Sequence, residues 1–297
     1  MQHGVKKVKS QKSSMHEQQS CLYLVATPIG NLEDITMRAI RILKEADIIA
    51  AEDTRNSRKI CNYFEIDTPL TSYHEHNLEQ GGEKILHYLR EGKKVALVSD
   101  AGLPCISDPG ADIAAKAIDE GFAVIPIPGA NAALTALIAS GLTPQPFFFY
   151  GFLSRNKKER KESLENLKKR QETILFYEAP HRLKDTLKDM QAILGDRKIV
   201  MARELTKKFE EFLRGTLEEA VEWAMANEIR GEFCLVVEGS KEAEENEEDN
   251  WWTKLTIEEH VNLLIEEQGM SSKEAIKEVA KIRKLSKREV YQAYHVE

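Results

Sequence analysis

The stretch Ser99–Gly110, SDAGLPCISDPG, directly follows the apolar segment KKVALV at residues 93–98. It contains two Asp, two Pro and two Gly, a composition that favours neither a helix nor a strand over such a length. Ordinary connections between strands and helices need only a few residues. One interpretation is a long surface loop. The other is a ligand loop at the carboxyl end of a sheet strand, where open α/β folds bind small molecules.

Around this stretch, short apolar segments alternate with helical patterns. The spacing predicts strands at residues 22–26, 47–53, 93–100 and 123–130, and helices at residues 34–46, 81–92, 111–121 and 131–141. Such alternation is typical of βαβ units and of a largely parallel sheet. We therefore predict an N-terminal α/β domain over residues 21–145.

Residues 142–155, LTPQPFFFYGFLSR, interrupt the alternation with two prolines, and we place the domain boundary there. A second α/β domain is predicted over residues 146–240. Its predicted helices cover residues 160–170 and 182–195, and its predicted strands cover residues 173–179, 198–206 and 231–239. Residues 210–225 lie between the last two of these strands, and the overlapping segment at 209–216 is a candidate for a further strand that pairs with this sheet.

The two ends of the chain differ from these domains. Residues 1–20 carry basic residues without an apolar core, so we interpret them as a disordered arm rather than a secretory signal. Residues 241–250 form an acidic, solvated linker. A helical tail module follows at residues 251–297, with Ser271, Ser272 and Ser286 as candidate helix starts.

Composition excludes several classes of protein. The 297 residues suffice for two domains, and the formal net charge of -7 means that a nucleic-acid partner needs local basic patches. The four cysteines are scattered without a CxxC or Cys/His cluster, so neither a metal site nor a disulfide framework is predicted. Reduced thiols fit a cytoplasmic protein best. No apolar run approaches the length of a membrane span.

Four loops rich in Gly, Pro and Asp follow predicted strands, namely TPIGN (27–31), AEDTR (51–55), SDAGLPCISDPG (99–110) and PGANA (128–132). In a parallel sheet all four lie on one edge, and glycine allows a ligand to approach the backbone closely. The helix that begins after Asn131 offers free N–H groups suited to a carboxylate or phosphate. The loops therefore predict a ligand pocket. Neither GxGxxG after the first strand nor GxxxxGK[ST] is present, which disfavours a nicotinamide dinucleotide or a nucleoside triphosphate.

Seven segments, in order, resemble the tetrapyrrole methylase superfamily: LVATPIGNLEDIT, AEDTR, LVSDAGLPCISDPG, IPGANAALTAL, FYEAPHR, ARELTK and GEFCLVVEG. They are most similar to its ribosomal branch, the ribosomal small subunit methyltransferase I family of 16S rRNA cytidine 2'-O-methyltransferases. The resemblance spans residues 21–239. It implies two α/β domains of tetrapyrrole methylase type, S-adenosylmethionine in the cleft between them, a homodimer, and 16S rRNA of the small ribosomal subunit as substrate.

One departure from the superfamily pattern concerns the substrate. Relatives that act on tetrapyrroles have a GDP turn where this chain has SDAG, at residues 99–102. The resemblance implies that this difference marks the ribosomal branch, and it argues against a porphyrin substrate.

The resemblance also implies a set of cofactor-binding residues. Residues 100–103 are expected along the methionine part, and the second domain is expected to close over the adenosine. The full set is Pro28, Asp100, Ala101, Gly102, Leu103, Asn131, Ala132, Phe176, Tyr177, Ala202 and Phe233.

A ribose hydroxyl is a poor nucleophile, so a base or a strong hydrogen-bond acceptor helps methyl transfer to it. Candidates within the matching segments are Asp53, Glu178, His181 and Glu204. Two structural alternatives stay open. Glu204 could form an ion pair with Arg203, and His181, which follows Pro180, could cap the next helix. The sequence does not single out one base.

Two segments are strongly basic, although the chain as a whole carries a formal net charge of -7. Residues 155–170 hold eight basic and three acidic side chains, close after three Phe and Tyr150. They are either an RNA-binding surface or a solvated helix face. Residues 273–288, with seven basic and two acidic side chains, are either an RNA-contacting module or a packing appendage. The candidate RNA-binding residues are Arg55, Arg155, Lys157, Lys158, Arg160, Lys161, Arg182, Arg203 and Lys207.

Two rival functions remain. A non-enzymatic RNA-binding protein could use the same basic segments, but it would not need four loops that form a small-molecule pocket. A methyltransferase for a tetrapyrrole or another small molecule would need the pocket, but neither the basic helix nor the basic tail.

Overall fold

The computed structural model describes residues 10–11, 20–241, 252, 255–283 and 285–295. Most of the predicted arm at residues 1–20, and the predicted acidic linker except residue 241, lie outside the described residues. The chain divides into two compact units, residues 1–241 and residues 242–297, and each is described by itself.

The first sheet of the larger unit is entirely parallel, as the alternating pattern predicts. Its strands are β1 (Cys21–Val25), β2 (Ile48–Ala51), β3 (Leu70–Ser72), β4 (Lys94–Val98) and β5 (Ala123–Ile127), in the order β3-β2-β4-β1-β5. The helices after these strands are α1 (Met37–Glu45), α2 (Thr54–Tyr63), α3 (Leu78–Arg90), α4 (Gly110–Asp119) and α5 (Ala132–Ser140). Apolar clusters cover both faces of the sheet, which explains why its strands are nearly continuous apolar runs.

One helix and one strand of this half of the larger unit have no counterpart among the predicted elements. The buried positions of α2 are Ser57 and Cys61, so its sequence lacks the large apolar residues that usually mark a helix. Its start is fixed by Asp53, whose side chain accepts a hydrogen bond from the Arg55 backbone N–H. The strand β3 has three residues at the edge of the sheet, too few to show a strand pattern.

The second sheet is mixed. Its strands are β6 (Phe147–Phe152), β7 (Thr173–Glu178), β8 (Lys198–Arg203), β9 (Glu211–Thr216) and β10 (Phe233–Val237), in the order β6-β7-β10-β8-β9. Only β6 and β7 pair in parallel, and the other three pairings are antiparallel. The candidate strand at 209–216 is confirmed as β9. The stretch 142–155, predicted to be a boundary, supplies β6.

Helices cover both faces of the second sheet. On one face, α6 (Lys157–Leu167), α7 (Leu183–Leu194) and α8 (Leu217–Ala226) enclose an apolar core. On the other face lies α5, which follows the last strand of the first sheet. Its Ala133, Ala136 and Leu137 pack against residues of the second sheet such as Leu175 and Val236. This helix therefore joins the two sheets within one unit.

The smaller unit contains three helices among its described residues, α9 (Ile257–Gln268), α10 (Ser272–Ile282) and α11 (Lys287–His295). Ser271 caps α10 in a capping box with Glu274, which confirms one of the candidate starts. Ser286 Oγ accepts a hydrogen bond from the Glu289 N–H at the start of α11, as expected. Val261, Val279 and Val290, one from each helix, meet in a small apolar core.

Candidate cofactor and active site

A cavity of about 360 Å³ lies where the carboxyl ends of the first sheet's strands meet the second sheet. All four glycine- and proline-rich loops reach it, which confirms their predicted convergence on one edge. From the first sheet it is lined by Ile29, Glu52, Ser99, Ala101, Gly102, Leu103, Ile106, Ser107, Asp108, Asn131 and Ala132. From the second half it is lined by Phe152, Tyr177, Glu178, Ala179, Ala202, Glu204, Leu205, Lys207, Glu232, Phe233 and Cys234.

The loop at residues 99–110 is fixed against the loop after β1. Thr27 and Gly102 exchange both backbone hydrogen bonds, with N···O distances of 2.9 and 3.0 Å. Gly102 has a φ of +80°, and a Cβ built there would lie 3.2 Å from Ile29 Cγ2 and 3.3 Å from the Ala130 carbonyl oxygen. A side chain at this position would therefore be strained by the backbone conformation and crowded by these two neighbours.

The second half of the same loop is organised by Asp108. Its Oδ1 accepts hydrogen bonds from the backbone N–H groups of Cys105 and Gly110, at 3.0 and 2.8 Å. Cys105 has a φ of 71°, an uncommon conformation for a residue with a side chain. Burial, followed by the nearby Asp108 carboxylate, raises the pKa of the Cys105 thiol to about 11. The thiol is therefore neutral near pH 7. The two hydrogen bonds to Asp108 hold this part of the loop in place beside the cavity.

The second sheet contributes an aromatic wall. The Tyr177 hydroxyl accepts a hydrogen bond from the Ala133 N–H at 3.2 Å, and burial raises the pKa of Tyr177 to about 12. The rings of Phe149 and Phe152 meet the Tyr177 ring edge-on, with centroids 5.1 and 5.5 Å away. In the first turn of α5, the Leu134 N–H is already bound by the Asn131 side chain. Fewer free N–H groups thus face an anion than the sequence suggests.

Most of the predicted cofactor residues lie together in the cavity lining. They are Ala101, Gly102, Leu103, Asn131, Ala132, Tyr177, Ala202 and Phe233.

Three predicted cofactor residues lie elsewhere. Pro28 is buried beside the lining. Asp100 is exposed, and its two carboxylate oxygens accept hydrogen bonds from the Asp53 N–H and the Asn56 side chain. Phe176 is fully buried in the core beneath α7, on the opposite face of β7 from Tyr177. Its side chain cannot contact a ligand in the cavity, because adjacent residues of a strand point to opposite faces.

Glu178 lines the cavity, but its carboxylate is buried and fully engaged. Oε2 accepts a hydrogen bond of 2.6 Å from the Thr186 hydroxyl, and Oε1 accepts one of 2.9 Å from the Ala179 N–H. Arg182 Nε lies 3.3 Å from Oε1. The geometry is that of a structural anchor between β7 and α7.

The other three predicted bases differ in position. Asp53 lies outside the lining, and its hydrogen bonds and ion pair with Arg55 lower the pKa of its carboxyl to about 2. His181 is exposed in the turn before α7, where Arg182 rather than His181 is the N-cap residue. Glu204 does line the cavity.

Glu204 has a cationic partner, although not the one that the sequence suggests. Its Oε1 accepts hydrogen bonds of 2.9 Å from Lys207 Nζ and from the Glu232 N–H. Burial raises the pKa of Glu204, but these two hydrogen bonds, together with the positive charges of Lys207 and Arg203, lower it below its ordinary value. Arg203 instead donates to the Arg230 carbonyl and to Glu211.

The predicted RNA-binding set separates into exposed and structural residues. The prediction that Arg160 binds RNA is wrong. Its side chain is buried, with Nη2 2.7 Å from Asp189 Oδ2, and is therefore not available to RNA. Arg182 is also mostly buried and donates to the Leu153 carbonyl at 2.6 Å. Four members of the basic helix region are exposed, namely Arg155, Lys157, Lys158 and Lys161.

Of the three remaining members, Arg203 is the last residue of β8 and is held by the Arg230 carbonyl and Glu211, Arg55 lies in the first turn of α2, and Lys207 follows β8. Arg55 is highly exposed and paired with Asp53. Lys207 lines the cavity between Glu204 and Glu232, with its Nζ 2.9 Å from an oxygen of each.

Glu52 and Asp108 are charged lining residues of the first half that the sequence analysis does not single out. Within the segment AEDTR the sequence prediction takes Asp53 instead. Glu52 directly follows β2, and in a parallel strand the residue after the last pairing position is the one that reaches the edge of the sheet. That rule could have found it. Phe152, by contrast, lies in the segment predicted to be a boundary.

Neither a membrane span nor a metal cluster is present among the described residues. No helix there is long and apolar enough to cross a membrane. Likewise, in the part of the chain that the structure describes, no group of three or more His, Cys, Asp or Glu side chains is arranged to hold a metal ion.

Comparison with known proteins identifies the family. A family model described as Tetrapyrrole (Corrin/Porphyrin) Methylases matches residues 21–221. A curated protein of Bacillus subtilis (strain 168), named Ribosomal RNA small subunit methyltransferase I, is 65% identical over 275 residues, which are 93% of this chain and 94% of that protein. This chain belongs to the ribosomal RNA small subunit methyltransferase I family. A second member, from Halalkalibacterium halodurans, is 58% identical and covers 98% of this chain and 100% of its own length.

Solved structures show the same fold at much lower identity. A cobalt precorrin-4 methyltransferase of cobalamin biosynthesis aligns with a TM-score of 0.58 at 20% identity, covering 74% of this chain and 95% of that structure. A uroporphyrin-III C-methyltransferase from Thermus thermophilus, solved with S-adenosyl homocysteine, aligns with a TM-score of 0.53 at 18% identity. It covers 73% of this chain and 97% of that structure. The ribosomal RNA small subunit methyltransferase I family thus has the tetrapyrrole methylase fold, here with a helical extension at the C-terminal end.

Proposed function

We propose that this protein transfers a methyl group from S-adenosylmethionine to a cytidine 2'-hydroxyl of 16S rRNA in the small ribosomal subunit. The observation that carries the proposal is the cavity, which joins four strand-end loops to the second sheet in a chain of this family. The names of the curated relatives support the ribosomal substrate. Such a substrate would place the protein in the cytoplasm.

The cavity fits S-adenosylmethionine in size and chemistry. A volume of about 360 Å³ lies within the range of small-molecule pockets, roughly 300–1,000 Å³. Tyr177 and Phe152, whose rings meet edge-on, offer apolar aromatic surface against which an adenine ring could pack. Gly102 allows close approach to the backbone, and Asp108 brings negative charge to the first-sheet side of the cavity, where a positively charged sulfonium would be stabilised. The cofactor would supply the methyl group, and the chain would position it.

The exposed basic helix is the part of the chain that we assign to RNA. Lys157, Lys158 and Lys161 project from α6, and Arg155 precedes it. Contacts between such side chains and phosphates release counterions and supply affinity that does not depend on sequence. A small neutral substrate would gain nothing from this charge.

We also propose a homodimer, and α5 offers the surface for it. Leu134 and Ile138 are exposed on this helix, one helical turn apart, and Ile138 is 81% exposed. Apolar side chains at this spacing form a stripe that a second copy of the chain could cover.

The test is a methyl-transfer assay with tritiated S-adenosylmethionine that offers small ribosomal subunits, free 16S rRNA and a porphyrin precursor in parallel. We expect label in subunits or rRNA. Because a 2'-O-methyl group blocks alkaline cleavage at its nucleotide, resistance to alkali at one cytidine would establish the position. Label in the porphyrin precursor alone would favour the small-molecule methyltransferase. Absence of cofactor binding in calorimetry, with RNA binding intact, would favour the non-enzymatic RNA-binding protein.

A further inference from the structure

Five carboxylates line the cavity, and four of them have defined partners. Glu178 is held by Thr186 and the Ala179 N–H. Asp108 is held by two backbone N–H groups of its own loop. Glu204 and Glu232 share the ammonium group of Lys207. These carboxylates are therefore engaged in shaping the cavity, and a proton transferred to any of them would weaken an existing contact.

Glu52 is the fifth carboxylate, and its surroundings differ. Among the described residues its one hydrogen bond is a long one, in which the Asp100 N–H donates to Oε2 at 3.4 Å. Burial raises the pKa of Glu52, and the carboxylates of Asp100, Asp108 and Asp53 raise it further, while the Asp100 N–H lowers it in part. A carboxylate with free acceptor capacity and a pKa nearer to neutrality is the better proton acceptor.

We propose that Glu52 accepts the proton of the substrate hydroxyl during methyl transfer, an inference that rests on the proposed function. The ribose oxygen forms a bond to the methyl carbon while the carbon–sulfur bond breaks, and the electron pair of that bond stays on sulfur as a neutral thioether. The hydroxyl proton moves to the Glu52 carboxylate and is later released to water. Charge is conserved, because the sulfonium loses its positive charge as the carboxylate loses its negative charge.

The position of Glu52 fits this role. It follows β2 directly and lines the cavity together with Ser99, Ala101 and Asp108, on the side of the first sheet. The aromatic wall of Tyr177 belongs to the second sheet. With the adenine on that wall, the reacting end of the cofactor would lie on the side of the first sheet, where Glu52 is.

The experiment compares Glu52→Gln and Glu52→Asp with the parent chain, using tritiated methyl transfer to small subunits across a pH series and calorimetric titration with S-adenosylmethionine. We expect E52Q to bind the cofactor within about threefold of the parent and to lose roughly 100-fold or more in kcat. The parent's kcat/KM should fall on the acid side with the ionisation of one group. E52Q should lack this limb, whereas E52D should retain partial activity with the limb shifted.

A matched control is Glu79→Gln, which makes the same chemical change at an exposed site in the first turn of α3 and should behave like the parent. Loss of cofactor affinity by E52Q with kcat retained would overturn the proposal and make Glu52 a binding residue. Parent-like kcat in E52Q would overturn it as well. If E52Q fails to fold, as judged by thermal melting, the pH profile of E52D decides, since an unshifted acid limb contradicts the proposal. A parent chain that transfers no methyl group contradicts the proposed function itself.

Discussion

Arg160 of α6 and Asp189 of α7 form a buried ion pair, with Nη2 and Nε of the arginine 2.7 and 2.8 Å from the same carboxylate oxygen. The pair joins two helices on the outer face of the second sheet, and both side chains are less than 10% exposed. A residue in the middle of a basic sequence segment thus serves the fold, while its neighbours Lys157, Lys158 and Lys161 face solvent.

The buried pair leads to a stability prediction. Replacing Arg160 by Ala leaves the Asp189 carboxylate buried, with Lys161 Nζ, 3.7 Å from Oδ1, as its remaining ion-pair partner among the described residues. The change should lower the free energy of unfolding by about 3 kcal/mol. Urea denaturation measures the change. The double variant Arg160→Met with Asp189→Leu removes both charges and should recover most of the stability. Equal stability of Arg160→Ala and the parent would show that the pair contributes nothing.

The exposed lysines lead to a prediction about RNA. The triple variant Lys157→Ala, Lys158→Ala and Lys161→Ala should weaken subunit binding. The binding constant of the variant should also depend less steeply on salt concentration. The slope on logarithmic axes should fall by roughly one unit for every phosphate that the removed ammonium groups neutralise in the parent. Cofactor affinity should stay unchanged, because these residues lie outside the cavity. Binding across a salt series, beside cofactor titration, provides the measurement.

The control for this prediction removes the same charge elsewhere. Lys44, Lys93 and Lys116 lie on the first half of the chain, and their replacement by Ala should leave binding to subunits nearly intact. Equal binding by the α6 variant and the parent at every salt concentration would make α6 a solvated face. The RNA-binding surface would then have to be sought in the basic tail or the cavity mouth.

Most of the first sheet could be predicted from sequence because parallel strands buried on both faces are continuous apolar runs, as in β4. The same strands place their loops on one edge, so eight of the eleven predicted cofactor residues do lie in the cavity lining. By contrast, the sequence pattern does not predict α2, because its buried face consists of the small residues Ser57 and Cys61. The antiparallel pairing of β8, β9 and β10 depends on long-range register that local patterns do not encode.

The errors at the site have a common physical origin. Alternation along a strand places the adjacent Phe176 and Tyr177 on opposite faces, but the sequence does not show which face lines the cavity. Nor does the sequence show which charged side chains pair with each other in the fold. Arg160 resembles its neighbouring lysines until Asp189, which is 29 residues away, is placed beside it.

Gly102 gives a prediction about the cofactor. A valine there would force a side chain into a backbone conformation with φ of +80° and against Ile29 and the Ala130 carbonyl. Gly102→Val should therefore weaken S-adenosylmethionine binding by at least tenfold, about 1.4 kcal/mol. Calorimetry provides the measurement. Gly121→Val is the matched control, since Gly121 has a φ of +87° but open space around it. The loop does not contribute to binding if a folded Gly102→Val protein keeps its affinity.

The exposed stripe on α5 gives a prediction about assembly. Replacing Ile138 by Glu would bury a charge in the proposed interface, which is costly unless the charge is paired. Light scattering at micromolar concentration should report a dimer for the parent and a monomer for Ile138→Glu. Met225→Glu, at another exposed apolar position, should stay dimeric. A parent that is monomeric at this concentration contradicts the homodimer.

Glu52 also gives a prediction about stability that does not depend on substrate. Its pKa in the folded chain is raised, first by burial, so folding disfavours the charged form of this carboxyl. The folded state then holds its proton to higher pH than the unfolded state does. The resulting loss of folding stability is absent at pH values below the ordinary glutamate pKa and fully present at pH values above the raised pKa of Glu52. Glu52→Gln carries no charge at either pH, and its side-chain oxygen can still accept the hydrogen bond from Asp100. We therefore expect Glu52→Gln to melt at a higher temperature than the parent at pH 7, and the difference to shrink as the pH falls through the raised pKa and to vanish below about 4. A Glu52→Gln variant that is less stable than the parent at pH 7 would show that the carboxylate is held by favourable contacts, as Glu178 is, and would remove the basis for its role as a proton acceptor.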